Sequence, residues 1–323
     1  MLNGVPQIAA FSYQFPNTKG FAFYGVADGD YDLTAQSSLG QGEVMVSEPL
    51  RISVKGGDLT GISLVLKALS SISGHVILES STALECRNKR KPLFSETLVV
   101  ARRSDKNTSK EPIAAPNFSA AQASPDKSGD FLLRNLAPGQ FNLNARFFAK
   151  FWYLRSIERE HPAAQPSRLA TANRQTDAVR NGISLKFGER INGLTVTLAE
   201  GAASFRGTVK LGEGESIPAK LYVHLVPAQK ENAEDPLRFF TTLVQADGTF
   251  AINNLPPGRY WVHARLSANN EPQFDAKVRA PEEAETRAQI LRVAEAAKVE
   301  VELKPCQNVS DYQLPFKISA AKN

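Results

Sequence analysis

Along most of this chain apolar and polar positions alternate in short runs, and the runs are broken by Gly, Pro, Asn and Asp. The stretch Lys298-Val-Glu-Val-Glu-Leu303 alternates strictly. Three other runs have strand length: Gln7-Ile-Ala-Ala-Phe-Ser-Tyr13, Glu96-Thr-Leu-Val-Val-Ala-Arg102 and Ala219-Lys-Leu-Tyr-Val-His-Leu-Val226. A period of two sends successive side chains to opposite faces of an extended backbone, so the pattern predicts many short β-strands joined by tight turns. Gly61-Ile-Ser-Leu-Val-Leu-Lys-Ala-Leu69 is the most apolar run and reads as one more strand. Helix is scarce. Residues 281–292 could make two or three turns, and residues 156–181 read as a long polar insertion.

The strands repeat as a set. Phe21-Ala-Phe-Tyr-Gly-Val26-Ala-Asp-Gly29-Asp-Tyr31 shares one spacing with Phe131-Leu-Leu-Arg-Asn-Leu136-Ala-Pro138-Gly139-Gln-Phe141 and with Phe250-Ala-Ile-Asn-Asn-Leu255-Pro-Pro257-Gly258-Arg-Tyr260. Each copy has an aromatic, an aliphatic five residues on, a second aromatic after ten, and a glycine two before that aromatic. The arrangement predicts a β-hairpin, because Pro presets φ for the turn and Gly supplies positive φ. Gly29, Tyr31, Gly139, Phe141, Gly258 and Tyr260 are its structural markers.

A second block follows. Ile52-Ser-Val-Lys through Leu66 matches Ile183-Ser-Leu-Lys through Leu198, with residues 298–303 as a shortened third version. Ile72-Ser-Gly74-His-Val76 and Phe205-Arg-Gly207-Thr-Val209 then open the next copies. The expected organisation is all-β, with tandem Ig-like or prealbumin-like sandwiches: residues 1–67, lacking the glycine–valine opening strand, then 68–199 with the polar insertion, then 200–304, and a tail at 305–323. A missing core strand leaves a sheet edge and part of an apolar face open. On this reading the sequence is part of a longer one, or its start is misassigned, with any signal peptide upstream. The short connections predict a semi-rigid rod.

On Asp247-Gly248-Thr-Phe250 with Leu255-Pro-Pro257-Gly258-Arg-Tyr260, and on Ser128-Gly129-Asp-Phe131 with Pro138-Gly139-Gln-Phe141, the chain resembles carboxypeptidase regulatory-like domains. These are transthyretin-like sandwiches of the carbohydrate-binding-like fold. The resemblance extends to about residue 304 and implies no catalytic residues, a secreted, periplasmic or cell-surface location in bacteria, and polysaccharide as the small ligand. The first copy departs from it in lacking the opening strand and the turn proline.

At 323 residues the chain has room for about two or three domains. Its two cysteines exclude a disulfide scaffold and any multi-cysteine metal site. Cys86 and Cys306 fall in different units, and the sequence leaves open whether they pair. The net charge of +5 is local: residues 85–110 carry eight basic and three acidic residues, with Phe94 the sole aromatic. That is a solvated loop and strand edge rather than a nucleic-acid surface, which would interleave aromatics with spread basic residues. No run of about 18 apolar residues predicts a membrane span.

Enzyme chemistry finds no support. A zinc carboxypeptidase needs a histidine and a glutamate at short spacing, and none of His75, His161, His224 and His263 has a glutamate three residues on. His224 and His263 fall on predicted strands in cross-strand or outward roles. Ser124-Pro-Asp-Lys127 has the spelling of a Ser-x-x-Lys nucleophile but sits in a turn. Asp126 and Asp247 read as turn formers. No cofactor is expected.

Aromatics carry the binding expectation. Phe147-Phe-Ala-Lys-Phe151-Trp152-Tyr153 would place rings on both faces of one strand, and Trp261 would point outward if Tyr260 points in. Trp261, Trp152 and Tyr153 are therefore the candidate ligand residues, for stacking on a sugar ring or anchoring a surface protein. The competing reading packs Trp261 on a neighbouring domain or a loop. The expected function is a non-catalytic binding or spacer module, and the alternative is a stalk or accessory domain that positions another domain or docks a partner.

Overall fold

The structure is a computed structural model that describes residues 20–39, 42–104, 118–159, 176–267 and 284–317. The strand expected at 7–13 lies outside these residues, as does much of the polar insertion. The described residues are mostly strand, arranged in six sheets.

The first unit holds β1 (Gly29–Leu33), β2 (Gln36–Leu39), β3 (Glu43–Ser47), β4 (Leu50–Val54) and β5 (Leu66–Ala68), in the sheets β1-β4 and β2-β3-β5. Of the run at 61–69, only Leu66–Ala68 is strand. The second unit holds β6 (Ser70–Glu79), β7 (Thr97–Arg103), β8 (Ala120–Ala123), β9 (Asp130–Leu136), β10 (Gly139–Phe147), β11 (Trp152–Arg159), β12 (Thr176–Asp177), helix α1 (Ala178–Asn181), β13 (Ile183–Leu185) and β14 (Arg190–Glu200). Its sheets are β13-β10-β7-β8 and β12-β11-β14-β6-β9. Strand β7 is interior, so its arginines are not on the edge that the charge cluster suggested.

The third unit holds β15 (Ala203–Lys210), β16 (Leu221–Pro227), β17 (Phe240–Leu243), β18 (Thr249–Leu255), β19 (Gly258–Leu266), α2 (Ala284–Ala297), β20 (Glu300–Leu303) and β21 (Asn308–Pro315). Its sheets are β17-β16-β19-β20 and β18-β15-β21. In both complete units the two sheets face each other over one core. Phe131, Leu133, Phe141, Leu154 and Leu194 fill the second. In the third, Phe205 packs on Tyr312 and Phe250 with ring centroids 4.8 and 5.6 Å apart.

Two expectations need correction. The repeated Pro-Gly motif is not a hairpin. Strands β9 and β10 belong to different sheets, as do β18 and β19, so the motif is a corner that carries the chain across the sandwich. Alternation identifies a strand but not its partner, and a corner and a hairpin share the same turn residues. At the corner Gly139 and Gly258 have φ of 141° and 148°, and the Tyr260 hydroxyl donates to Pro256 O at 2.8 Å. Tyr31 donates to Ala27 O at 2.8 Å in the same way. The three glycines hold one register, opposite Val54, Leu185 and Leu303 respectively.

The stretch after Pro305 is not a tail. Strand β21 pairs parallel with β15 just as β14 pairs parallel with β6. The block at 298–303 therefore matches only β13, and β21 supplies the half it lacks. Both parallel pairs close over a glycine. A Cβ on Gly74 would lie 2.1 Å from Leu194 O, and one on Gly207 would lie 2.2 Å from Tyr312 O. This close approach is why the opening strands carry glycine.

Candidate functional site

The aromatic cluster at 147–153 breaks into two strands. Strand β10 ends at Phe147, a turn follows with Phe151 at φ 64°, and β11 begins at Trp152. The Trp152 ring is wholly buried in the second core, so it presents no face to a ligand. Tyr153 is half-buried, and that burial raises its phenol pKa. What this turn does present is backbone, and the third unit binds it.

Asn254, the last residue but one of β18, donates from Nδ2 to Ala149 O at 2.9 Å and to Trp152 O at 2.8 Å. Gly201 N and Ala202 N both donate to Phe151 O, at 2.7 and 2.9 Å, and Cys306 N donates to Gly201 O at 2.9 Å. Beside these bonds Cys86, from the β6–β7 connection, forms a disulfide with Cys306, from the β20–β21 turn, with Cα atoms 5.4 Å apart. Lys89 Nζ stands 4.7 Å above the Phe151 ring. Leu237 of the third unit is buried among second-unit core residues, and Arg180 pairs with Glu234 across the same joint. Burial raises the pKa of the Asp235 carboxyl, which accepts from Leu237 N at 2.9 Å.

The joint between the first and second units uses the same position of the repeat. Asn135 accepts from Val44 N at 3.2 Å through Oδ1 and donates to Gly42 O at 2.8 Å through Nδ2. Asn135 and Asn254 have φ of 58° and 59°, the left-handed conformation that Asn tolerates best among non-glycine residues. Their equivalent in the first copy is Gly25, with φ 68° and no side chain to offer. Val46 and Ala137 are buried at this joint, with Phe118 and Phe187 against them. Both asparagines stand inside the motif that reveals the repeat. Their shared place before Leu and the Pro-Gly turn was the available signal, but an amide reaching a neighbouring unit reads in sequence as one more turn residue.

Trp261 points away from the third core, as alternation predicts, and is partly covered there. It packs with Val226, Phe239, Ile290 and Ala294, the last two from α2. This helix has 14 residues, longer than the two or three turns expected, and lies as a third layer on β16 and β19. Among the described residues, Trp261 thus packs on a helix of its own unit, which the sequence reading did not anticipate, and is not a bare platform.

His224 of β16 is also buried; its Nδ1 lies 2.9 Å from Thr241 Oγ1 and it sits opposite His263. Burial lowers the His224 pKa from 6.5 to about 3, with Arg265 and His263 adding to the effect, and burial lowers that of His263 as well. Between these limits the unfolded chain takes up a proton that the folded one refuses. Stability is therefore full above pH 6.5 and falls as pH drops below it. At pH 5 the third unit should be about 2 kcal/mol less stable than at pH 7. Urea melts at the two pH values test this, and His224→Asn should flatten the slope; an unchanged slope would assign it elsewhere.

Among the described residues no group of three His, Cys, Asp or Glu side chains could hold a metal ion. Nor is any helix among them long and apolar enough to cross a membrane. Asp126 and Asp247 accept from the backbone N–H groups of Ser128 and Thr249, both two residues on, as turn formers do.

A family model for the β-sandwich domain of ER membrane protein complex subunit 7 matches residues 189–323, less than half of the chain. The match includes β21. No protein of curated function matches the sequence. Among solved structures the chain is similar to the Bacillus anthracis TIE protein, at 9% identity and a TM-score of 0.23, over 92% of this chain and 45% of that one. It is also similar to GBS52, the minor pilin of Streptococcus agalactiae, at 9% identity and a TM-score of 0.24, over 79% of this chain and 98% of that one. The chain thus spans less than half of the TIE structure.

Proposed function

We propose that the chain is a non-catalytic spacer: tandem carboxypeptidase regulatory-like sandwiches held at fixed angles, which position what they are attached to. The observation that carries this reading is the repeated asparagine clamp. One residue of the repeat, in one strained conformation, grips the preceding unit's backbone at two successive joints. A flexible string of domains has no use for such a device, since inter-domain motion is the default without it. The inter-unit disulfide adds a covalent tie and supports an exported location, because such bonds persist in oxidising compartments. Polysaccharide binding through Trp261 loses its support under α2, which leaves the positioning role ahead of the binding one.

Spin labels on the first and third units provide the test. The wild-type chain should give one narrow distance distribution, and Asn135→Gly with Asn254→Gly should broaden it. Glycine keeps the left-handed backbone and removes only the amide, at a cost of about 1–2 kcal/mol of coupling per joint. Alanine should cost about 1–2 kcal/mol more through backbone strain. A broad wild-type distribution, unaltered by the substitutions, would refute the spacer reading.

A further inference from the structure

Two features of the second unit that are far apart in sequence meet on its surface. The turn between β10 and β11 carries Phe148, and the β6–β7 connection carries the basic run Arg87-Asn-Lys89-Arg90-Lys91. Phe148 and Arg90 line one open cleft together with Ser95, Glu96, Leu98 and Ser124. Arg90 pairs with Glu96, whose other carboxylate oxygen accepts from Leu93 N at 3.1 Å. Lys89 Nζ, 4.7 Å above the Phe151 ring, ties the same two segments together. Arg146 stands opposite Leu98 in the β10–β7 ladder, and Lys150 follows Phe148 by two residues.

Phe148 is 94% exposed and Leu93 is 64% exposed. This exposure is not slack in the turn. Phe147 packs against the second core and Ala149 is buried in it, so the backbone on both sides of Phe148 is held. Ala149 O also accepts from Asn254, which pins the turn a second time. With its neighbours directed inward, Phe148 has no direction but out. A lone exposed apolar side chain needs no explanation, but this one shares its cleft and its turn with cations. Lys89, Arg90, Lys91, Arg146 and Lys150 are all exposed. Among the described residues, only Arg90 of these five has a carboxylate partner.

We propose that this surface docks the chain on an anionic lipid membrane, with Phe148 and Leu93 entering the interface and the cations meeting the headgroups. A ring with nearly all of its surface free is covered only by something that envelops it, which mobile lipid does and a flat protein face does not. The kind of cation argues the same way. Lys89, Lys91 and Lys150 are lysines, which protein interfaces deplete and which are held favourably beside negatively charged headgroups. Contact of this kind crosses nothing; it needs an apolar tip with positive charge around it, and the second unit has both. The inference is independent of the spacer reading, because it rests on one face of one unit and on neither joint being rigid.

The test measures co-sedimentation of the full chain with vesicles of phosphatidylcholine alone and of equal parts phosphatidylcholine and phosphatidylglycerol. The wild-type chain should bind the anionic vesicles at least about tenfold more tightly than the neutral ones, and lose that preference as salt rises from about 0.1 to 1 M. Phe148→Ser should weaken binding about tenfold, and Lys91→Glu with Lys150→Glu should abolish it. Lys210→Glu, on the third unit, should leave it unchanged. All four positions are exposed, so the urea melts of these variants should match wild type. Phe148→Trp adds a direct reading: the emission it contributes over wild type should shift to the blue on anionic vesicles and not on neutral ones. Absence of binding to anionic vesicles would overturn the proposal and turn attention to an acidic protein partner. Equal binding to both vesicles would overturn it too, as would full binding by Phe148→Ser or a loss in Lys210→Glu as large as in the double variant.

Discussion

Gly207→Ala should unfold the third sandwich at room temperature. The added methyl carbon would stand 2.2 Å from Tyr312 O and 2.8 Å from the Phe250 ring. The first of these is a backbone atom of the parallel strand β21, and no side-chain rotation can relieve the contact. Separating β21 from β15 far enough to admit the methyl group would break the ladder between them and open the Phe205–Tyr312 contact behind it. Overpacking a well-filled core costs about 1–3 kcal/mol. A forced strand separation adds lost hydrogen bonds to that, so a total above about 4 kcal/mol is expected, within the range that abolishes folding of a marginally stable domain. Gly74→Ala should do the same to the second sandwich through Leu194 O at 2.1 Å. Gly214→Ala is the control: it has φ 81° but no atom within 4 Å of the added carbon, so it should cost only about 1–2 kcal/mol of backbone strain. Urea melts of the three variants decide the matter. A Gly207→Ala chain within about 1 kcal/mol of wild type would mean that β21 is not held where the structure places it.

The second large effect concerns the disulfide. Cys86 and Cys306 are separated by 220 positions, and closing a loop of that size restricts the unfolded chain by about 5 kcal/mol in the chain-entropy model. The units between the cysteines fold on their own cores, so much of that restriction is already imposed by the fold, and about 2–4 kcal/mol is the expected loss in Cys86→Ser with Cys306→Ser. The loss should fall on the third unit and on the joint. Its melting should separate from that of the second unit, and the spin-label distances should broaden beyond the effect of Asn254→Gly alone. Wild-type chain in dithiothreitol should behave as the double variant does. Identical melting with and without reductant would show that the amide bonds and Leu237 hold the joint by themselves.

Much of this architecture is local and therefore legible in the chain. Alternation places the strands, because the period of two is a property of a single extended segment. The corner markers Gly139, Phe141, Gly258 and Tyr260 announce a repeat, because backbone conformation at a turn is decided by the few residues in it. The outward direction of Trp261 is legible in the same way.

What tertiary structure decided is every question of partner. The same alternation serves a hairpin and a corner, and only the sheets show that β9 and β10 part company. Asn308-Val-Ser-Asp-Tyr312 has too little apolar content to announce a core strand, yet the parallel pairing with β15 makes it one. Helix α2 covers Trp261 from some 30 residues further along the chain, Asn254 reaches back 102 residues to Trp152 O, and Cys86 meets Cys306 across 220. None of these contacts names its partner in the residues immediately around it. They arise because two folded surfaces meet, and the shape of those surfaces is set by all the strands together.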